Sequence, residues 1–537
     1  MESVLYLFGL FVVSVYLLMG FDDFIWDIVT LFRRWHLPKT GLDLTKLDDL
    51  PAKRIGIMIA AWQEDEVLEA VINHLCNTMH YPKERYDIFL GVYPNDAKTL
   101  LVAKILEERH SNVHVIVNEQ AGPTSKAQNI NFIIRQIKCR EENMGIVYDA
   151  LTVHDAEDVV HPLELKVTNK LLEEHSALQF PVFPWTPEEK RKQFFRTLTA
   201  SMYADEFAEN HYITLVSRRQ SAAFVPSAGT GFVLSRQVLS LFGQEDVFPS
   251  NSLTEDFRLA LTLYQKGIHI HYALEHVWRV NEDHKIEKEF IAIRSMFPSG
   301  AKQAIRQRTR WILGITMQSF RLKDVFAFRG IRFSGRYSLY KDLKAKVGNL
   351  LPLLGYPVLL YFFVSLFVPL IPIFPSATLS WYFSICLTIL MLQRQVLRAV
   401  AIYHVYGIKQ AMFASFFPPL LPIRLVWGNI INLLATLRAY RQRYFGVSKA
   451  KKKGKRKISW DKTEHEFLTE AELQGFYRRT GDVLLEKGYL SPRVLQEHVK
   501  AFSMQDKKES LLEYLQEKGL VDAKQIEEVR ARMHLTR

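Results

Sequence analysis

Hydrophobic positions recur along the chain in two rhythms, and the change between them marks its organisation. Val4 to Gly20 is an unbroken apolar run without a charge, close to the roughly 17 to 25 residues that cross a bilayer. Directly after it Phe21, Phe24, Ile25, Ile28, Val29 and Phe32 recur at helical spacing opposite Asp22, Asp23 and Asp27. That pattern predicts an interfacial helix ending at Arg33 and Arg34. Glu2 stands where a cleaved leader carries basic residues, and no small-residue cleavage site follows, so a retained anchor is expected. The basic flank follows the span, which points the N-terminus outward and the next domain to the cytoplasm.

From Arg54 to about Trp185 short β-branched runs alternate with amphipathic stretches, the pattern of an α/β nucleotide-binding sheet. Residues 54–62, 86–96, 114–119 and 151–158 read as strands, with a helix from Asp65 towards His80. Ligands of open α/β sheets bind beyond the carboxyl ends of the strands. Trp62, Glu64, Asp96 and the cluster His154-Asp155-Ala156-Glu157-Asp158 fall there.

Apolar runs return near the C-terminal third. Leu350 to Phe374 is long enough to span, provided neighbours satisfy the backbone groups freed by Pro352, Pro357, Pro369 and Pro372. A second run from about Leu379 to Leu392 extends further if the helix continues past Arg394 and Arg398, which stand where a cytoplasmic end would be. Met412 to Leu437, interrupted by Pro418, Pro419, Pro422 and Arg424, reads as an interfacial or re-entrant element. A full crossing there would put the KAKKKGKRK run at 449–457 outside, against the positive-inside rule.

Length and charge narrow the class. A chain of 537 residues exceeds what one core organises. Its +12 net charge lies largely beside the apolar spans, which favours anionic lipid over nucleic acid as the acidic partner. Cys76, Cys139 and Cys386 are scattered without C-x-x-C spacing, so neither a disulfide framework nor a zinc site is indicated. The expected divisions are an anchor at 1–35, a catalytic domain at 36–335, membrane and interfacial helices at 336–447, a basic linker at 448–467 and a small all-α domain at 468–537.

Three clusters carry chemistry. The Asp155, Glu157, Asp158 group at a strand end suits Mg²⁺ or Mn²⁺ on a diphosphate, although an isolated D-x-E is commonly a solvated turn. Asp256 in Leu253-Thr254-Glu255-Asp256 suits a general base; an N-cap role for Thr254 or Asp256 explains the same residues equally well. In Gln307-Arg308-Thr309-Arg310-Trp311, Arg310 can grip a diphosphate and Trp311 offers a flat face to a sugar; interfacial anchoring is the bland alternative.

The segments IMIAAWQE, VYPND, GPTSKAQNIN, HDAEDV, SAGTGF, SLTED and QRTRWILGI together resemble the family-2 membrane glycosyltransferases related to cellulose and hyaluronan synthases. More narrowly, GFDDFIWDIV, YPND, GPTSKA and WDKTEHEF (460–467) resemble the phage adsorption protein B-like branch of bacterial inner-membrane enzymes. The resemblance implies an α/β GT-A (Rossmann-like) domain between transmembrane helices. It also implies inverting, processive transfer from a nucleotide-sugar donor, a UDP-hexose or UDP-N-acetylhexosamine, to a polysaccharide acceptor, with export through an outer-membrane partner. Uridine contact is implied near Ala60, Trp62 and Glu64, nucleotide contact at Asp96 and Lys126, and metal and diphosphate contact at Asp155, Glu157 and Asp158. Asp256 becomes the base, with Glu255 beside it; Gly229 and Thr230 approach the acceptor; and Gln307, Arg310 and Trp311 hold nucleotide and acceptor. The second acid of the D-x-D is Glu157, which leaves the ligand open between Glu157 and Asp158. Alternatives are a lipid-linked or single-sugar acceptor, or an inactive envelope scaffold of phage-receptor type.

The tail repeats itself: Leu484-Leu485-Glu486-Lys487-Gly488-Tyr489-Leu490 is echoed by Leu515-Gln516-Glu517-Lys518-Gly519-Leu520-Val521. A glycine ends one helix in each copy and a new helix starts three residues later. The duplicated unit resembles the MshE N-terminal (MshEN) domain. That resemblance implies cyclic di-GMP contact at Arg479, Gly481, Leu484, Gly488, Leu490, Leu495 and Val499. The second copy departs from the motif at Ser510 and Leu512, so the fold carries over more safely than the ligand.

Overall fold

The apolar runs between Arg54 and His154 become parallel strands because helices cover both faces of the sheet they form. The computed structural model describes residues 2–35, 47, 50–185, 194–280, 285–415, 420–445, 473, 477–503 and 510–534. Pro418, Pro419, the basic run at 449–457 and the segment 460–467 lie outside the described residues. Strands β1 (Ile55–Ala60), β2 (Tyr86–Val92) and β4 (Ala150–His154) are buried at every position; β3 (Val113–Val117) is the half-covered edge. They are followed by β5 (Ala177–Gln179), β6 (Val182–Pro184), β7 (Phe232–Ser235), β8 (His271–Tyr272), β9 (His276–Val280), β10 (Ile286–Phe290) and β11 (Ile293–Ser295). The main sheet runs β3-β2-β1-β4-β7-β5-β8. β7 is antiparallel to both of its neighbours, so the sheet is mixed.

The chain winds outward from β1 to β2 and β3, then returns to place β4 on the other side of β1. At such a switch point the loops diverge and open a crevice. Ile59 pairs with His154, so the next residues, Ala60 and Asp155, emerge side by side at its mouth. One core layer packs Met58, Phe89, Ile133 and Leu151 with Phe257 and Leu261 of the helix Glu255–Gln265. The layer on the opposite side packs Ile57, Ile59 and Leu90 with Leu68, Ile72 and Leu106.

The anchor and the expected interfacial helix form one continuous helix, Glu2–Trp35. Its acids turn inward: Asp22 and Asp23 pair with Lys344, and Asp23 with Lys341. Phe21, Ile25 and Phe32 stay exposed on the other side. Among the described residues two helices, Ser3–Arg33 and Leu379–Ser415, are long and apolar enough to cross a membrane. The expected span Leu350–Phe374 is not one helix. Its helix is Pro352–Ser365, bent by 57° from Phe333–Gly348, and the two count as a third span only if that pair is one broken crossing. Pro369 and Pro372 lack the amide hydrogens needed to extend it. Arg394 and Arg398 lie mid-helix and bind Glu209 of the helix Phe194–Glu209, tying the long helix to the α/β domain. The helix Leu420–Tyr444 lies against the helix Ala301–Trp311 through Arg308, Thr309 and Ala435.

The tail forms the helices Thr480–Glu486, Pro492–Ser503, Leu511–Glu517 and Ala523–His534. Gly488 and Gly519 have φ of 69° and 67°, the left-handed conformation that ends a helix. Their common core of Leu484, Leu495, Leu515 and Val529 also takes in Val280 from β9 of the catalytic domain.

Candidate active site

The crevice above β1 and β4 deepens into a cavity of about 360 Å³. Residues far apart in sequence line it: Ala60, Glu64, Lys126, Asp155, Glu157, Gly229, Thr230, Glu255, Asp256, Gln307, Arg310 and Trp311. Most come from the ends of elements or from the loops beside them, while Gln307 stands mid-helix in Ala301–Trp311. Lys126 opens the helix Lys126–Met144, whose N-cap Ser125 accepts from Gln128 N at 3.2 Å. Asp256 is the second residue of the helix Glu255–Gln265.

Lys126 connects the two ends of the site. Its Nζ donates to Asp155 Oδ1 and, at 2.9 Å, to the Gly229 carbonyl. Burial alone would lower its pKa, but the carboxylates of Asp155, Glu255 and Asp256 outweigh that and hold it raised. The buried amine therefore stays cationic. Gly229 has φ of 81°, and a Cβ built there would stand 2.9 Å from Asp256 Oδ2. Gly229→Ala is therefore expected to push Asp256 aside and lower transfer by on the order of tenfold or more, with donor affinity changed by less than about twofold. Initial rates and donor titrations in the same membranes check it.

The N-cap explanation of Asp256 fails. Thr254 holds the cap position without a side-chain bond, and Asp256 faces Gly229. Burial raises the Asp256 pKa, partly offset by the Phe257 amide, Lys126 and Arg310. Burial and then Asp256 push Glu255 to about 7. At the acidic turn, burial and then Asp155, Asp158 and Glu64 push Glu157 well above the usual carboxylate range.

Three expected contacts lie outside the cavity lining. Asp158 turns inward, accepting from Asp155 N at 2.9 Å and from the Thr230 hydroxyl. The expected trio of Asp155, Glu157 and Asp158 therefore does not converge, and no group of three or more metal-ligating side chains does so among the described residues. Asp96 is occupied by backbone: it accepts from Gln63 N at 2.6 Å and caps the helix Ala97–Arg109 through Thr99 N at 3.4 Å. Trp62 stands edge-on to Tyr93 at 5.3 Å and packs beside Gly122.

Sequence reasoning missed the opposite wall. Glu206, Phe207, Asn210, His211 and Phe297 line the cavity beside Trp311. Phe207 lies 4.5 Å from Phe297 and stacks on His211 at 5.3 Å. Glu206 is held by Arg308 through bonds of 3.2 and 2.6 Å, and Arg308 also reaches Asn432 at 2.6 Å. Two π-helical stretches, Asn210–Thr214 and Ile312–Ser319, flank this wall; such turns are frequent at functional sites. In the sequence the acids Asp205, Glu206 and Glu209 recur at helical spacing, a pattern shared with solvated helix faces.

The tail residues singled out are mostly core. Leu484, Leu490, Leu495 and Val499 are buried together, and a Cβ on Gly481 would stand 2.8 Å from Val280 Cγ2. Arg479 caps the start of the helix Thr480–Glu486, with Arg479 N donating to Asp482 Oδ2 at 2.7 Å, and Gly488 follows the end of the same helix.

A mixed sheet with a buried acidic turn at its switch point, a basic residue at a helix start and a second carboxylate facing both define a GT-A-like glycosyltransferase fold. Residues 51–314 match the family model described as glycosyltransferase like family 2. It is 30% identical over 530 residues, 91% of its length, to bacteriophage adsorption protein B of Escherichia coli K12 and equally to bacteriophage N4 adsorption protein B of Escherichia coli O157:H7. It spans 66% of the length of those relatives. Among solved structures it is similar to a mannosyltransferase from Pyrobaculum calidifontis in complex with GDP-Man and Mn²⁺, with TM-score 0.45, 11% identity, and 82% of this chain and 99% of that one covered. It is also similar to Staphylococcus aureus TarS 1-349 in complex with UDP-GlcNAc, with TM-score 0.32, 12% identity, and 73% of this chain and 92% of that one covered.

Proposed function

We propose that the chain is an inverting, processive glycosyltransferase of the bacterial inner membrane, moving sugar from a UDP-hexose or UDP-N-acetylhexosamine to a growing exported polysaccharide. The observation that carries this reading is the cavity in which a half-buried lysine, a half-buried carboxylate pair and the Gln307, Arg310, Trp311 set meet. Crowding Glu157, Glu255 and Asp256 round one partly desolvated cavity costs stability. An inactive scaffold has no use for them.

In this reading Asp256 takes the proton of the acceptor hydroxyl as that oxygen bonds to the anomeric carbon, while the bond to the diphosphate breaks on the opposite face. Lys126 and Arg310 hold the departing charge. Asp155 and Glu157 are the pair that would hold Mg²⁺ or Mn²⁺. The fit rests on Glu157, whose ionisation is opposed by Asp155, Asp158 and Glu64 and would be restored by a cation. When bound, that ion supplies further positive charge to the diphosphate. The aromatic wall of Phe207, Phe297 and Trp311 suits the faces of acceptor sugar rings. It favours a glycan acceptor over the alternative of a lipid-linked one.

The apolar helices would place the protein in the membrane with catalytic and C-terminal domains in the cytoplasm, and an outer-membrane pore as export partner. The tail resemblance adds cyclic di-GMP as a ligand. Val280 covers the Gly481 face, so binding there would have to displace β9; titration calorimetry of the full chain against its Arg479→Ala variant tests it, and equal heats would refute that site. Nucleotide release with and without a chelator tests the metal: release should fall at least about tenfold and return with Mn²⁺ or Mg²⁺. Unchanged release in chelator would remove the metal from the reading.

A further inference from the structure

The C-terminal unit grips the catalytic domain at two places, and both lead to the acidic turn. Its core closes over Val280 of β9, and its side chains take the two inner ends of the β9–β10 hairpin. Val280 N donates to Asp482 Oδ1 at 2.6 Å, and Ile286 N to Gln496 Oε1 at 2.6 Å. Arg478, with its side chain 2% exposed, donates to Glu289 on β10 at 3.0 Å; Glu289 also binds Arg279 at 2.8 Å and lies 3.5 Å from His161. β10 leads within three residues into β11, where Arg294 exchanges backbone bonds with Val159, the neighbour of Asp158.

The second grip is on the helix Glu164–Leu171. Glu486, with its side chain 3% exposed, lies 3.6 Å from Lys166 on that helix and 3.8 Å from His80. His80 N in turn donates to the Pro162 carbonyl at 2.9 Å. Two residues before Lys166, Glu164 binds His154 at 2.9 Å, and both side chains are fully buried. His154 directly precedes Asp155. A shift of this short helix therefore moves the residue next to Asp155, because close-packed interiors transmit displacement rather than absorb it.

We propose that Glu486 and Arg478 are positioning residues for transfer: docked in cis, the C-terminal unit braces the turn from His154 to Pro162 from both sides and so fixes Asp155 and Glu157 for the donor. The ion pairs between the unit and the catalytic domain are buried, so removing one partner leaves an uncompensated charge and loosens the contact. The kinetic part rests on the glycosyltransferase reading; the structural part does not.

Two variants of the full-length membrane protein test it. Glu486→Gln keeps the side-chain shape and removes the charge; Gly481→Val wedges the unit away from Val280 without touching any charged group. Both are expected to raise the donor KM about fivefold or more with kcat changed by less than about twofold, the signature of lost binding rather than lost chemistry. Glu486→Asp should recover most of the loss. Independently of activity, amide hydrogen exchange across 154–166 should quicken about tenfold or more in both variants. Exchange and KM equal to wild type in both would overturn the brace, as would a fall in kcat with KM unchanged. Quickened exchange in both variants, together with a wild-type chain that transfers no sugar, would refute the glycosyltransferase reading and leave the brace standing.

Discussion

Asp256→Asn is expected to lower sugar transfer by at least about 10³-fold while leaving nucleotide-sugar affinity within about twofold. The substitution keeps size and hydrogen-bonding capacity, so Gly229, 2.9 Å from the carboxylate at its notional Cβ, has no cause to move. It removes the only property that a base needs. In the proposed function donor contacts fall on Lys126, Asp155 and Arg310 instead, which predicts intact binding. The same carboxylate sets the pH response. Burial raises its pKa, and only the ionised form accepts a proton. Activity should therefore decline on acidification from a pH above the ordinary aspartate value of about 3.9, and rise through that raised value towards a plateau. Rates and donor titrations across pH check both parts. A variant retaining near-normal transfer would end the assignment of Asp256.

The second large effect separates two arginines on one helix. Arg310 lines the cavity and faces Glu255 and Asp256, whereas Arg308 is 4% exposed and locked to Glu206 and Asn432. Arg310→Ala should lower kcat by about 10²- to 10³-fold in a normally folded protein, because the departing diphosphate loses a preorganised donor. Arg310→Lys should recover only part of this, since a lysine cannot reproduce the planar fork. Arg308→Ala should act instead on folding, costing about 1 to 3 kcal/mol through the lost bonds to Asn432 and Glu206, because Glu206 is 47% exposed and water screens the charge left behind. Thermal unfolding and kinetics of the three variants distinguish the outcomes. Equal catalytic losses at 308 and 310 would contradict the division.

What the sequence made legible was local. β1, β2 and β4 are short, mostly apolar runs buried at every position, as in a doubly covered sheet, and their loop ends could be located before any contact was known. Asp155, Asp256 and Arg310, singled out by residue type and motif order, line one cavity. Asp96 and Asp158 have the same residue type and near-identical settings, yet each is consumed by backbone or hydroxyl donors. Nothing in sequence separates a carboxylate that faces a cavity from one that satisfies its own loop. The wall of Glu206, Phe207 and Phe297 was illegible for a different reason. Its key bonds join residues 102 and 124 positions apart, and helical spacing of acids suggests solvent. The docking of the tail on Val280 spans 202 positions between Val280 and Asp482 and depends on a hairpin too short to announce itself.

The helix Pro352–Ser365 shows the same limit in the membrane region. Apolar length alone suggested a span from Leu350 to Phe374, while two prolines decided where the helix stops. Hydropathy reports the solvent a segment prefers, and backbone hydrogen bonding decides its shape.

The measurement that bears most directly on the central claim is incubation of membranes carrying the full-length protein with a panel of radiolabelled nucleotide sugars, following nucleotide release and label in polymer together. The expected result is one donor that yields free nucleotide and an equal amount of sugar in a product of high molecular mass, with neither formed by Asp256→Asn membranes. Absence of both products with every donor, from protein shown to be folded and inserted, would contradict it.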